Sequence, residues 1–124
     1  MLYGMTMNEE EQYEEEIKYM EETFPDCKFS ICIPKDELDN VISKEKTIIL
    51  KHGWFDYYID VNNEIKSNWK QNFYVVSCDV MSIRNIINEL IKQEIYCEGD
   101  HQFLECIKPT HVGNETQFEL WYGS

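Results

Sequence analysis

The sequence predicts an α+β protein of two layers: a largely antiparallel sheet of six or seven strands with helices on one face. The clearest of three supporting observations is an amphipathic helix over Ser82–Glu94. The second is that several short segments alternate apolar and polar residues, as half-buried strands do. The third is that the order strand, helix, strand, glycine turn, strand occurs over residues 27–61 and again over 72–108, which indicates a possible βαββ duplication. With 124 residues, the chain is expected to form a single domain over residues 1–124.

An acidic helix is predicted within residues 1–25, ahead of an α+β core over residues 26–124. Thr6 and Glu9 have the spacing of a capping box, in which two side chains satisfy backbone amides at the start of a helix. Pro25 cannot continue a helix and therefore ends it. Between these positions, apolar residues recur at steps of three and four and form one narrow stripe: Tyr13, Ile17, Met20 and Phe24.

The first half of the core, residues 27–61, is predicted to contain three strands and one helix. The alternation in Cys27–Ile33 indicates a half-buried strand. Pro34 suits the first turn of a helix, so a short helix is expected over Asp36–Ser43. The remaining elements are a strand over Thr47–Lys51, a turn or bulge at Gly53, and a strand over Trp54–Val61.

The second half of the core begins with Glu64–Gln71, which is mostly polar and is predicted to be a loop. Phe73–Asp79 is apolar on both faces, which indicates a strand in the middle of the sheet. Ser82 is positioned as the N-cap of the helix that follows, whose apolar face comprises Ile83, Ile86, Ile87, Leu90 and Ile91. The chain then continues with a strand over Ile95–Glu98, a turn at Gly99-Asp100, a strand over Gln102–Lys108 and a last strand over Thr116–Tyr122.

The formal net charge of −13 is concentrated near the N-terminus. Residues 1–26 contain nine acidic residues and one lysine, whereas the other 98 residues contain fifteen acidic and ten basic residues. Such a chain repels nucleic acid and anionic membranes, so we expect direct binding to neither. Solubility is one explanation for the acidic helix, and a basic protein partner is the other. In the second case the candidate binding residues are Glu10, Glu14, Glu15 and Glu21.

Two predicted strands combine aromatic and acidic residues on one face. Alternation along Trp54–Val61 and along Thr116–Tyr122 brings these two residue types together on each strand. Trp and Tyr dominate binding interfaces, and neighbouring acids would select a basic partner. The alternative is that the tryptophans are covered by the acidic helix or by a loop, with only the acids exposed. The candidate binding residues on these strands are Trp54, Asp56, Tyr58, Asp60, Glu119 and Trp121.

Other residue clusters could carry chemistry, but each lacks a required feature. Four metal-capable residues lie close together in the sequence: Cys97, His101, Cys106 and His111. No two of them have the short spacing of a zinc knuckle. His52 with Asp56 and Asp60 could act in acid–base catalysis, and Cys97 with His101 could supply a thiol nucleophile. Since no oxyanion-hole or glycine-rich motif accompanies either group, we expect no enzymatic activity, no catalytic residue, no metal and no cofactor.

Several observations favour a cytoplasmic protein. No apolar run is long enough to cross a membrane. The N-terminus has neither the basic region nor the apolar core of a signal peptide. The five cysteines form no CxxC pair and lie mostly in predicted strands, so we expect reduced, buried thiols.

In size, charge and residue usage, with many Ile, Lys, Asn and Glu residues, the chain resembles the small acidic immunity proteins of bacterial toxin–immunity pairs, including those of contact-dependent inhibition systems. The resemblance covers no motif. It implies a bacterial inhibitor that neutralises a basic partner, a nuclease toxin or another nucleic-acid-binding protein, by blocking its nucleic-acid-binding or active site. Two alternatives are open: a phage-type anti-defence protein that mimics the charge of nucleic acid, and a generic protein-binding adaptor whose acidity serves solubility.

Overall fold

A computed structural model of the chain describes residues 9–95, 103–113 and 115–123. Within these residues there are two helices and seven strands. The helices are α1 (Glu9–Thr23) and α2 (Ile83–Lys92). The strands are β1 (Ser30–Ile31), β2 (Val41–Ser43), β3 (Thr47–Ile59), β4 (Ile65–Ser77), β5 (Met81–Ser82), β6 (Phe103–Val112) and β7 (Glu115–Gly123). A short 3₁₀ turn, Lys35–Glu37, lies between β1 and β2.

Five of the strands form the main sheet, in the order β1-β6-β7-β3-β4. The β3–β4 and β6–β7 pairs are antiparallel, whereas β1 pairs with β6 and β3 pairs with β7 in parallel. β2 and β5 form a separate antiparallel pair. The α+β class and the largely antiparallel sheet are therefore confirmed, and the last predicted strand is observed as β7.

The helices pack on one face of the main sheet, called here the inner face. Leu50 of β3, Val76 of β4 and Phe118 of β7 are buried on this face. α2 is confirmed as an amphipathic helix, because its buried residues have helical spacing: Ile83, Ile86, Ile87 and Leu90. Its predicted N-cap is also confirmed, since the amide of Asn85 donates to the Ser82 Oγ at 3.2 Å.

The short helix predicted over Asp36–Ser43 is wrong. The segment forms only the 3₁₀ turn and then the strand β2. The amide of Ile83, at the start of α2, donates to the carbonyl of Asn40 at 3.1 Å. The amide of Arg84 donates to the carbonyl of Leu38 at 2.7 Å. Since these carbonyls accept hydrogen bonds from α2, they are not available to a longer local helix, and β2 instead pairs with β5.

The turn or bulge predicted at Gly53 and the loop predicted over Glu64–Gln71 are also wrong, because both segments lie inside one long hairpin whose register has no irregularity. β3 and β4 pair along their full thirteen residues. Gly53 does not form a turn. Its lack of a side chain makes room for the indole of Trp69 on the neighbouring strand, which a Cβ at this position would overlap. The polar residues of Glu64–Gln71 are exposed because this half of the hairpin extends away from the helices.

The strand predicted over Phe73–Asp79 exists as the end of β4, but it lies at the edge of the sheet rather than in the middle. Its two apolar faces have different surroundings. Val76 is buried beneath the helices, whereas Phe73 and Val75 are exposed on the opposite face, called here the outer face. The prediction failed because the helices of the described chain cover one face of the sheet and leave the other to solvent.

The βαββ duplication is not present in the described residues, because residues 27–61 contain neither the expected helix nor a turn at Gly53. The strand predicted over Cys27–Ile33 shortens to β1, although its alternation is confirmed by the burial of Phe29, Ile31 and Ile33.

Three sequence predictions concern residues that the structure does not describe. These are the capping residue Thr6, most of the strand over Ile95–Glu98, and the Gly99-Asp100 turn.

Candidate functional site

The C-terminal half of α1 fastens this helix to the rest of the protein. Met20 and, just after the helix, Phe24 are buried in the core. Arg84 of α2 donates to the Tyr19 hydroxyl at 3.4 Å and to the Asp39 carboxylate at 2.9 Å. These hydrogen bonds from the guanidinium lower the pKa of both the Asp39 carboxyl and the Tyr19 hydroxyl. Arg84 therefore ties α1, α2 and the segment after the 3₁₀ turn to one another.

The N-terminal half of α1 projects beyond this anchor. Every residue from Glu9 to Lys18 is exposed. The exposed residues include two members of the predicted apolar stripe, Tyr13 at 56% and Ile17 at 38%. A helix that served the fold alone would bury its apolar stripe along its whole length. Half of the stripe is therefore available for contact with another molecule.

The four glutamates predicted to bind a partner are all exposed, but they do not share one face. Each residue turns by about 100° around a helix. Glu10, Glu14 and Glu21 therefore lie within about 40° of one another, beside the apolar stripe, whereas Glu15 lies about 100° further round. Three of the four predicted residues thus flank the exposed side chains of α1.

A groove of about 350 Å³ separates α1 from the segment that contains β1. Its lining includes the buried apolar side chains of Met20, Phe24 and Phe29. The exposed residues that also line it are Tyr13, Glu16, Ile17, Glu21, Lys28, Ser30 and Cys32. The groove continues the exposed stripe of α1 and is bordered by glutamates on its helical side.

The second projecting element is the distal part of the β3–β4 hairpin, residues 53–71, called here the arm. β7 pairs with β3 only at Leu50 and Lys51, so beyond these residues the described hairpin continues as a two-stranded ribbon. Such ribbons are marginally stable by themselves in water. Packing between aromatic rings stabilises the arm. The rings of Phe55 and Trp69 contact each other edge-to-face, with 5.0 Å between their centroids.

Trp54 and Tyr58, two of the predicted binding residues, lie on the inner face of the arm. Trp54 is half-buried, because its ring packs on His52 with centroids 5.2 Å apart. His52 is buried and packs in turn on Tyr122, with centroids 4.7 Å apart. Tyr58, further along the arm, is exposed. Tyr58 is therefore the aromatic residue of this face that a partner reaches most easily.

The two acids predicted to accompany these aromatics make contacts within the hairpin. Asp56 pairs with Lys70 at 2.8 Å. Asp60 lies 4.0 Å from Lys66, and its Oδ1 accepts two backbone amides of the turn at 2.9 and 3.0 Å. Asp60 therefore closes the turn. Lys66 also pairs with Glu64 at 3.2 Å, so the arm combines three acids with two lysines and offers little net negative charge to a partner.

Glu119 and Trp121 lie on the outer face and not with Trp54. Glu119 is opposite Lys51 of β3 and Lys108 of β6. The Lys108 ammonium lies 4.4 Å from the centroid of the exposed Trp121 ring. The ten predicted residues thus fall in three places: on α1, on the hairpin's inner face and turn, and on the outer face of β7.

Sequence reasoning missed a large exposed apolar surface on the outer face of β3 and β4. Eight large side chains there are 37 to 77% exposed and are called here the outer stripe: Ile49, Phe55, Tyr57, Ile59, Ile65, Trp69, Phe73 and Val75. A signal for it was present in the sequence. Because β3 does not turn at Gly53, the alternation that buries Leu50 continues to Trp54 and places Phe55 on the uncovered face.

The four described cysteines are free thiols, but the prediction that they are buried is wrong for Cys32, which is exposed, and holds only in part for Cys27, Cys78 and Cys106, which are half-buried. Desolvation raises the pKa of each of these thiols, which keeps them protonated at neutral pH. Cys97 and His101, from the metal and nucleophile hypotheses, lie outside the described residues. Among the residues that are described, no group of three or more His, Cys, Asp and Glu could hold a metal ion.

Comparisons of the chain with protein-family models, with curated proteins and with solved structures found no match. In the described part of the chain, no helix combines the length and the apolar content that a membrane crossing requires. The fold and its surfaces define an acidic α+β protein with a projecting acidic helix and a projecting aromatic arm.

Proposed function

We propose that the protein is an acidic inhibitor that binds a basic partner, such as a nuclease toxin, and blocks its nucleic-acid-binding or active site. One observation carries the proposal: the N-terminal half of α1 is exposed throughout, and its glutamates flank the exposed Tyr13 and Ile17. Acidic charge alone would serve solubility. Acidic charge around exposed apolar side chains is the composition of a binding surface.

The two residue types would act at different stages of binding. Carboxylates such as Glu10, Glu14 and Glu21 attract a positively charged surface over long distances and accelerate the encounter. Tyr13 and Ile17 then supply apolar contact, and the adjacent groove can receive a side chain of the partner. A nuclease holds the phosphates of its substrate with basic side chains. A row of carboxylates on those side chains excludes the nucleic acid.

α1 carries the proposal rather than the arm because their acids have different surroundings. On the hairpin, Asp56 and Asp60 lie near Lys70 and Lys66. On α1 there are eight glutamates and a single lysine, Lys18. The field of α1 is therefore strongly negative, whereas that of the arm is nearly balanced.

The proposal is tested by a pull-down from the native source with the tagged full-length chain, washed in parallel at low and high salt. Salt at about 0.1 M screens charges over about 10 Å, and at about 1 M over about 3 Å. We expect one basic protein that is retained at low salt and lost at high salt. Its nuclease activity should disappear when the chain is added at equimolar concentration.

A partner that survives the high-salt wash, or one that is captured but keeps its full activity, would contradict the inhibitor proposal. Basic proteins in general could stick to an acidic chain, so equimolar inhibition is the decisive part of the test. A matched acidic protein of similar net charge serves as the control and should not inhibit.

A protein-binding adaptor is the second candidate function, and the balanced charge of the arm favours it. Binding through Tyr58 and its neighbours would depend on apolar contact, so we expect it to be nearly insensitive to salt. A Tyr58→Ala variant should then lose the partner, and the glutamates of α1 should not matter. The salt dependence of binding therefore separates the two candidates.

A further inference from the structure

The outer stripe is too large and too apolar to be an ordinary exposed surface. Three rows pair apolar residues across the two strands: Ile49 with Val75, Phe55 with Trp69, and Ile59 with Ile65. A fully covered aromatic side chain buries about 150 to 250 Å². Eight large side chains that are about half exposed therefore leave roughly 800 Å² of apolar surface. Patches beyond a few hundred Å² mark interaction sites, and a stable interface needs about 800 Å² from each partner.

The charge of the outer face indicates which partner it suits. In a chain of net charge −13, the outward positions of β3 and β4 include no acidic residue and one basic residue, Lys51. Lys51 lies opposite Glu119 of the adjacent strand, so its charge is balanced within the same chain. A basic partner gains nothing from such a surface. Two copies of the chain, which repel each other through their acids, can approach closely across it.

The position of α1 also favours a second copy of this chain as the partner of the outer stripe. Both helices pack on the inner face, so two copies that meet through their outer faces carry their acidic helices on opposite sides of the pair. The distance between these helices would exceed the screening length of about 8 Å at physiological salt. The repulsion between the two most acidic segments is therefore small in this arrangement.

Two copies could also associate by pairing their edge strands β4, but the side chains of β4 disfavour such pairing. Lys66 and Lys70 lie along β4, and lysines on an edge strand are a common device against strand-to-strand pairing. Packing of one sheet face on another needs no free edge and places the two sheets about 10 Å apart. The outer stripe is thus suited to contact through its face.

We propose that the protein forms a two-fold symmetric homodimer in which the outer stripes of two copies pack face to face. The interface is self-complementary, with the Phe55 and Trp69 rings of each copy near its centre. α1 and its groove remain exposed on both copies, so each dimer can bind two molecules of a partner through α1.

Sedimentation equilibrium of the purified chain from about 1 μM to about 100 μM tests this proposal, since interfaces of this size span micromolar and tighter affinities. We expect a molar mass of about twice the 14.9 kDa of one chain at the higher concentrations. High salt should strengthen the dimer, because screening weakens repulsion between the acidic copies. The same salt should weaken binding of a basic partner through α1, so failure of one proposal is distinguishable from failure of the other.

A double variant, Tyr57→Lys with Ile65→Lys, places charge in the stripe at its two most exposed positions, 68% and 77%. Such exposed positions tolerate lysine in the monomer, which far-ultraviolet circular dichroism verifies. We expect its dimer dissociation constant to rise at least about 100-fold. The control, Val41→Lys with Val80→Lys, adds the same charge at exposed apolar positions outside the stripe and should remain dimeric.

Tryptophan fluorescence supplies a second readout. Because the interface would bury Trp69, the total tryptophan emission should shift to the blue as the wild-type concentration rises, and this shift should be absent in the stripe variant. A wild-type chain that stays monomeric at about 100 μM would overturn the proposal. So would a stripe variant that remains a dimer, or a control variant that dissociates equally.

Discussion

The two helices of this protein have similar apolar spacing but opposite relations to the core. α2 buries four apolar residues and presents a polar face to solvent. α1 buries one, Met20, and leaves Tyr13 and Ile17 exposed among glutamates. Helical spacing therefore identifies both segments as helices, but it does not show how much of each stripe is buried. In α1, residues with the spacing of a core-facing stripe remain exposed, and this exposure points to a function.

The charge next to the stripe explains this difference. Burial of α1 along its whole length would bring Glu10, Glu14 and Glu16 close to apolar surface, and removing a carboxylate from water costs several kcal/mol unless it is paired. Beside the buried face of α2 lie Arg84, which pairs with Asp39, and a single carboxylate, Glu89, whereas α1 carries eight glutamates. α2 can thus lie flat on the sheet, whereas α1 stays on the protein only through its last turns.

A cavity-creating substitution should show the largest contrast between the two helices. Leu90 of α2 is fully buried, so Leu90→Ala should lower the free energy of unfolding by about 3 kcal/mol. Ile17→Ala in α1 should lower it by less than about 1 kcal/mol, because Ile17 is exposed. Urea denaturation of both variants measures the two values. Equal losses would mean that the N-terminal half of α1 is as well packed as α2.

A smaller effect is expected at the start of α2. Ser82→Ala removes the oxygen that accepts the Asn85 amide and should cost about 1 kcal/mol in the free energy of unfolding. Ser82→Thr keeps an acceptor at this position and should retain most of the stability, as urea denaturation can show. If the alanine and threonine variants lose stability equally, the side-chain cap is not the cause of the loss.

The smallest effect concerns the anchor of α1 and depends on pH. Arg84 lowers the pKa of the Asp39 carboxyl, so the ion pair stabilises the fold above the unfolded-state pKa of about 3.9. This contribution is lost as the pH falls through the lower, folded-state pKa. Wild type should therefore be more stable than Asp39→Asn at pH 7, and the difference should close as the protein is acidified. Urea denaturation across this pH range tests the prediction, and a difference independent of pH would contradict it.

Much of the fold could be predicted from local patterns, and the errors have a common origin. The extent of α2, its Ser82 cap and the last strand follow from interactions within a few residues. The helix expected over Asp36–Ser43 and the turn expected at Gly53 failed because contacts distant in sequence decide both segments. One is the docking of α2 on residues 38–40, and the other is the Trp69 ring that lies across Gly53.

The candidate surfaces were predictable to different extents for the same reason. The glutamates of α1 are exposed as expected, because a run of charges needs no tertiary contact to stay in water. The pairing of Asp56 with Lys70, and the separation of Trp121 from Trp54, depend on strand register and on sheet order. Neither is visible in local sequence. The outer stripe was missed because residues 64–71 look like a polar loop when their partner strand is unknown.

The central claim, that α1 is a binding element rather than a structural one, is tested most directly by the affinity of a variant in which Glu10, Glu14, Glu15 and Glu21 are all glutamine. Its binding to the partner recovered in the pull-down should weaken about 10-fold, since three of the four glutamates flank the exposed stripe and each exposed charge contact contributes about 0.5 kcal/mol. A control with Glu45→Gln, Glu64→Gln, Asp79→Asn and Glu94→Gln removes the same charge elsewhere on the surface and should bind nearly as wild type. Isothermal titration calorimetry of the three proteins decides the matter. Unchanged affinity of the α1 variant, or an equal loss in the control, would contradict the account.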